Sequence, residues 1–142
     1  LPAMNSVNKD LRFTTEAPED FPRDRLPTLD FVFWLVDGIL KHSDFEKSMK
    51  THYTVMQRSA MSEHQRMAIR SNELVRRLSI IHKDVMDEEI AGVIKTYISQ
   101  LKTSGYGRKQ TREILICGVV GWRRRIERKG WIGTRVNTTR RR

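Results

Sequence analysis

The spacing of apolar positions changes once along this chain, near residue 60. Upstream, apolar residues alternate or run together over short stretches. Downstream they recur at the three- and four-residue intervals of a helical face. Residues 10–16 alternate, with Leu11 and Phe13 on one side, and predict a half-buried strand. Residues 17–25 carry two prolines among alternating charges and predict an exposed loop. The run Leu26 to Val36 is short and rich in aromatic and β-branched residues, which predicts a strand buried on both faces. Asp37-Gly38 suits the positive φ angles of a type I′ hairpin turn. Ile39 to Lys47 then returns as the partner strand, with Leu40, His42 and Asp44 on one face and Ile39, Lys41, Ser43 and Phe45 on the other. Residues 10–47 thus read as a three-stranded antiparallel sheet. Residues 48–61 read as a connector, with a short strand at Tyr53–Met56 as a secondary option.

Three helices follow, over residues 62–128. Ser62 and Gln65 match a capping box at the start of the first. Met67, Ser71, Leu74, Val75, Leu78 and Ile81 share its apolar face, and Arg66, Arg70, Arg76 and Arg77 are expected largely off it. Asp87 is the expected cap of the second helix, with Glu88 and Glu89 complementing its positive end. Its stripe is Ile90, Val93, Ile94, Tyr97, Ile98 and Leu101, and Ser104-Gly105 ends it. The third helix is expected from Arg108 to about Glu127, with Thr111, Leu115, Gly118, Val119, Trp122 and Ile126 on one face. Gly118 and Gly121 each lower helix propensity by up to ~1 kcal/mol. They predict either close approach to another backbone or a break near residue 118. Residues 129–142 read as a disordered basic tail.

Charge sharpens this picture. Residues 1–60 carry 8 Lys/Arg against 9 Asp/Glu, residues 61–121 carry 10 against 7, and residues 122–142 carry 9 against 1. The net charge of +10 is therefore concentrated from the end of the third helix onward, an asymmetry that favours a polyanionic partner. Basic residues in a last helical turn also complement the helix dipole, but that accounts for only two or three of them. The residues assigned to phosphate contact are Arg108, Lys109 and Arg112 at the start of the helix and Arg123, Arg124, Arg125, Arg128 and Lys129 at its end. Three short helices joined by tight turns also suit a helix-turn-helix arrangement, with the third as reader.

Other chemistries find little footing. His42, His52, His64 and His82 are scattered, and the single Cys117 has no second thiol, so neither a zinc site nor an intramolecular disulfide is expected. Cys117 is expected as a small core residue. Asp30, Asp37 and Asp44 show no shared geometry for two-metal catalysis. Trp34 and Trp122 are expected in the core; Trp131 is expected to be exposed, as a base-stacking or a tail residue. No stretch approaches the ~20 apolar residues of a membrane span. The opening Leu-Pro-Ala-Met suggests a piece of a longer polypeptide.

Several strings together resemble the end of the palm and the following helical region of Penelope-like and related retroelement reverse transcriptases. They are Arg25-Leu-Pro-Thr-Leu-Asp30, the strand, Asp37-Gly38, the second strand and Phe45-Glu-Lys-Ser-Met-Lys-Thr51. Tyr53 to Ser62, Glu73-Leu-Val-Arg-Arg-Leu78 and Leu101-Lys-Thr-Ser-Gly-Tyr106 continue the likeness, which spans residues 10–128. Ser48 departs from it, since the family often has proline there. The resemblance implies that the hairpin corresponds to the primer-grip region and the helices to the thumb, which holds template–primer through backbone phosphates. The family's aromatic-x-Asp-Asp turn does not occur here, so the chain would not polymerise alone and Mg2+ would belong to an upstream polymerase domain.

The expectation is an α+β chain: an N-terminal extension over 1–9, the sheet over 10–47, the connector over 48–61, the helices over 62–128 and the tail over 129–142. It would hold an RNA–DNA hybrid or duplex DNA as the C-terminal part of a reverse transcriptase, with no cofactor of its own, in an intracellular setting that includes the nucleus. A stand-alone helix-turn-helix DNA-binding module and a protein-interaction helical bundle are the alternatives.

Overall fold

A computed structural model describes residues 6, 10, 14–47 and 54–129. Three antiparallel strands, β1 (Leu26–Thr28), β2 (Phe31–Val36) and β3 (Ile39–Asp44), form a sheet in the order β1-β2-β3. Three helices follow: α1 (Glu63–Ile80), α2 (Met86–Thr103) and α3 (Arg108–Arg128). Single-turn 3-10 segments lie at Pro18–Asp20, Pro22–Asp24 and Lys83–Val85.

The β2–β3 turn forms as its residue types dictate. Val36 pairs with Ile39, and Asp37 and Gly38 take φ of 51° and 76°. The remainder of the sheet differs from expectation. The run 26–36 is two strands, folded at Leu29-Asp30 so that Thr28 pairs with Phe31. Leu29 makes this turn at φ 53°, a region a side chain disfavours. Residues 14–16 carry no strand, and 11–13 lie outside the described residues. The run is also not buried on both faces. Val32 is buried, whereas Leu35, Val36, Ile39 and Leu40 leave an apolar hairpin tip in solvent. Trp34 is half-buried, its ring covered by the Arg25 guanidinium at 4.1 Å. Residues 54–56 are irregular, and the expected tail beyond Lys129, including Trp131, lies outside the described residues.

α1 begins at the expected cap: Ser62 Oγ accepts from Gln65 N at 3.2 Å and Ser62 N donates to Gln65 Oε1 at 3.1 Å. α2 is preceded by the Lys83–Val85 turn and starts at Met86, so Asp87 falls inside its first turn and does not cap it. His82 instead accepts from Asp84 N. α2 ends as expected. Gly105 takes φ 90°, Tyr106 N bonds Leu101 O at 3.0 Å and Gly105 N bonds Lys102 O at 3.1 Å, the paired bonds of a Schellman cap.

The core joins all three helices through Leu74, Leu78, Ile81, Val93, Tyr97, Leu101, Ile114, Trp122 and Ile126. α3 packs chiefly on α1 and is unbroken at residue 118. A Cβ on Gly118 would lie 2.7 Å from Leu74 Cδ2 and 3.0 Å from Leu74 Cβ; one on Gly121 would lie 3.1 Å from Val75 Cγ2. The close approach is thus to α1, at Leu74 and Val75. Cys117, expected in the core, is exposed. No described helix is long and apolar enough to cross a membrane.

The sheet is held on the helices by ions. Arg70 and Arg77, expected off the packed face of α1, are both buried. Arg77 Nε donates to Glu73 Oε1 at 2.9 Å and its guanidinium lies 3.9 Å from both Asp44 and Glu46. Arg76 bonds Glu73 at 3.0 Å and reaches Asp30 at 3.2 Å. Lys41 pairs with Asp84, and Arg25 pairs with Glu89 at 3.0 Å. Burial pushes the Glu73 carboxyl up, but the hydrogen bonds from Arg76 and Arg77 outweigh it and bring it down to about 2.

Two tests follow from this packing. Gly118→Ala should destabilise by about 1 kcal/mol in urea melts despite the better helix propensity of alanine, and by more than Gly121→Ala. Equal or raised stability would contradict the close approach. The lowered carboxyl of Glu73 means that its ion pairs stabilise the fold above its ordinary value of 4.5 and are lost as pH falls toward 2. Because Glu73 is only partly buried, solvent screening keeps the contribution on the order of 1–2 kcal/mol. Glu73→Gln should flatten the stability curve between those pH values.

Candidate nucleic-acid interface

All eight cations assigned from the sequence are exposed along α3 and at its C-cap, Lys129. The helix rises ~1.5 Å per residue, so the two clusters stand at opposite ends of a rod roughly 30 Å long. A rotation of ~100° per residue places Arg108, Lys109, Arg112 and Arg123 within one sector of about 100°, which toward the end of the helix also holds the exposed Glu127 and the buried Ile126. Arg124 lies beyond this sector. Arg125, Arg128 and Lys129 turn toward the α1–α3 seam, where they line a cleft with Asn72, Val75 and Gly121. The structure therefore brings four of the eight onto one stripe and directs the others elsewhere. Between the clusters the outer face carries the exposed Glu113, Ile116, Cys117 and Val120.

Two electrostatic features distinguish these residues from ordinary surface charge. The first is the helix start. α1 has Glu63 in its first turn and α2 has Asp87, Glu88 and Glu89, as the positive helix end favours. α3 has no acid there and instead begins Arg108-Lys109. Gly107 N is satisfied by Gln110 Oε1 at 3.3 Å. Cations at a helix N-terminus oppose the dipole, so this end gathers unbalanced positive potential suited to an anion.

The second feature is the partition of acids. Asp30, Asp44, Glu46, Glu73, Asp84 and Glu89 are all engaged by Arg25, Lys41, Arg76 and Arg77. Among the described residues, none of the seven arginines and lysines from Arg108 to Arg128 forms a salt bridge. Arg128 Nε donates to the Arg124 carbonyl at 3.2 Å, and only Arg125 and Arg128 occupy the last turn, where the dipole favours them.

At the α2–α3 junction, Lys102, Arg108 and Arg112 rim a groove floored by Ile98, Tyr106, Leu115 and Ile116. Sequence reasoning did not find Lys102 or this groove. Ile98 was expected to be packed, and only the relative placement of two helices shows otherwise. The convergence of Asp44, Glu46 and Glu73 around Arg77 was also missed, because it joins β3 to α1 across the connector. Among the described residues no cluster of His, Cys, Asp and Glu forms a metal-ligand group.

No protein-family model matches this chain, and neither curated proteins nor solved structures yield a match.

Reversing the start of α3 isolates the electrostatic argument. Arg108→Glu with Lys109→Glu should raise stability by about 0.5–1 kcal/mol at low salt, since acids suit that helix end. A thermal melt showing a loss would mean that these two side chains serve the fold.

Proposed function

We propose that this chain binds nucleic acid, with α3 contacting backbone phosphates along the stripe Arg108, Lys109, Arg112 and Arg123. Arg124, Arg125, Arg128 and Lys129 flank this contact. The observation that carries the reading is the set of seven exposed α3 cations with no carboxylate partner among the described residues, on a helix whose N-terminus lacks acids. Ligand-facing cations that oppose the dipole lower stability, which a purely structural role would not favour.

The resemblance to retroelement reverse transcriptases supplies the wider context we propose. The chain would be the palm-edge and thumb of an RNA-directed DNA polymerase whose Mg2+-binding aspartates lie upstream. The apolar hairpin tip of Leu35, Val36, Ile39 and Leu40 fits packing against such an upstream domain. A helix-turn-helix reader of duplex DNA is the second reading, favoured by the four-residue, glycine-containing turn between α2 and α3.

Fluorescence anisotropy across a salt series tests the proposal. Removing one phosphate-binding side chain should reduce the slope of log affinity against log salt by about 0.9 on B-form duplex. Arg112→Gln and Arg123→Gln should each show that reduction, with little dependence on base sequence. Tighter binding to RNA–DNA hybrid supports the thumb, and preference for one DNA sequence supports the reader. Absence of binding at low salt to both duplexes would overturn both.

A further inference from the structure

A second cationic site lies away from α3, in a pocket where α1 meets β3, α2 and the end of the connector. Its lining includes Thr54, Arg70, Glu73, Arg76, Arg77 and Gln100. Three of these are arginines, and their situations differ. Arg76 and Arg77 are held by Glu73, Asp30, Asp44 and Glu46. Arg70 is only 6% exposed; its guanidinium has the neutral Tyr97 hydroxyl beside it but no salt bridge, and its Nε has no hydrogen-bond partner. Thr54 Oγ1, in the same lining, is also buried without a partner. The Thr54 and Arg70 backbones are fixed: Thr54 N donates to Ser104 Oγ at 2.9 Å, and Arg70 O accepts from Tyr97 OH at 2.6 Å.

A buried guanidinium loses hydration and normally recovers it through an anion. Buried donors left unmade are similarly costly. The two carboxylates in the lining are directed to other donors: Glu73 receives Arg76 and Arg77, and Glu46 receives Gln100 and faces Arg77. An oxyanion with several acceptor atoms matches these donors.

We propose that this pocket binds a phosphate group, with Arg70 as its charged ligand and Thr54 as a hydroxyl donor. Phosphate suits the site because its oxygens accept simultaneously from a guanidinium fork and a hydroxyl. The group would come either from free phosphate or from a nucleic-acid strand. The site does not depend on the α3 contacts.

The test is a thermal melt of the full chain with inorganic phosphate, against sodium chloride at equal ionic strength. Phosphate at about twenty times its dissociation constant should raise the melting temperature by roughly 5 °C. Arg70→Met keeps the length and removes the charge. It should abolish that rise and melt no lower than the wild type without phosphate, because a buried unpaired charge has been removed. Thr54→Val should reduce the rise. A phosphate titration of the wild type followed by the Arg70 Nε–Hε NMR resonance covers the case in which the methionine variant does not fold. No specific rise together with an unmoved resonance overturns the proposal, as does a rise that Arg70→Met retains. A 5′-phosphorylated dinucleotide, compared with its 5′-hydroxyl form, separates the sources. If only the phosphorylated form moves the resonance, a terminal phosphate suffices; movement with both identifies a backbone diester.

Discussion

The fit of α3 against α1 governs how this molecule presents its charge. At Gly118 there is no room for even one methyl group beside Leu74, and Gly121 is nearly as close to Val75. Two glycines within a helix cost propensity, and the helix persists because Ile114, Trp122 and Ile126 bury on the same side. Packing this tight fixes the rotation of α3 about its own axis. Rotation decides which cations face outward, so Arg112 and Arg123 point away from the core for the same reason that Gly118 points into it.

The second constraint is a division of charge. Asp30, Asp44, Glu46, Glu73, Asp84 and Glu89 are engaged by Arg25, Lys41, Arg76 and Arg77. Arg77 is the centre of this arrangement, buried and surrounded by Asp44, Glu46 and Glu73. It attaches β3 to α1 through ions where a larger domain would use apolar contact. An assembly of this kind is specific in geometry but modest in net stability. Its consequence for the surface is that these acids are taken up elsewhere, and α3 itself carries only Glu113 and Glu127 against seven arginines and lysines. The excess basic charge of the sequence therefore has a definite location on the folded chain.

Local signals were the legible part. The Ser62–Gln65 capping box, the Asp37-Gly38 turn, the Gly105 stop and the glycines of α3 each act within a few residues of their partners or depend on one neighbouring helix. The turn at Leu29-Asp30 was hidden because it uses a leucine at positive φ, where glycine or asparagine would have announced it. Arg70 and Arg77 were misplaced because a charged residue reads as surface until its partners on β3, or their absence, are known. Cys117 was misread for the opposite reason: its neighbour Ile114 belongs to the core, but three residues along the helix is enough to turn outward at this position. For the candidate interface, the exposure of all eight cations was legible, whereas their split into an outer stripe and a seam group required the helix rotation.

Chemical-shift mapping of the chain with a short duplex at low salt addresses the central claim most directly. The account predicts that the largest backbone perturbations fall on Arg108–Arg112 and around Arg123 in α3, with the sheet little changed. Perturbations centred on the Leu35–Leu40 hairpin tip, with α3 silent, would contradict it.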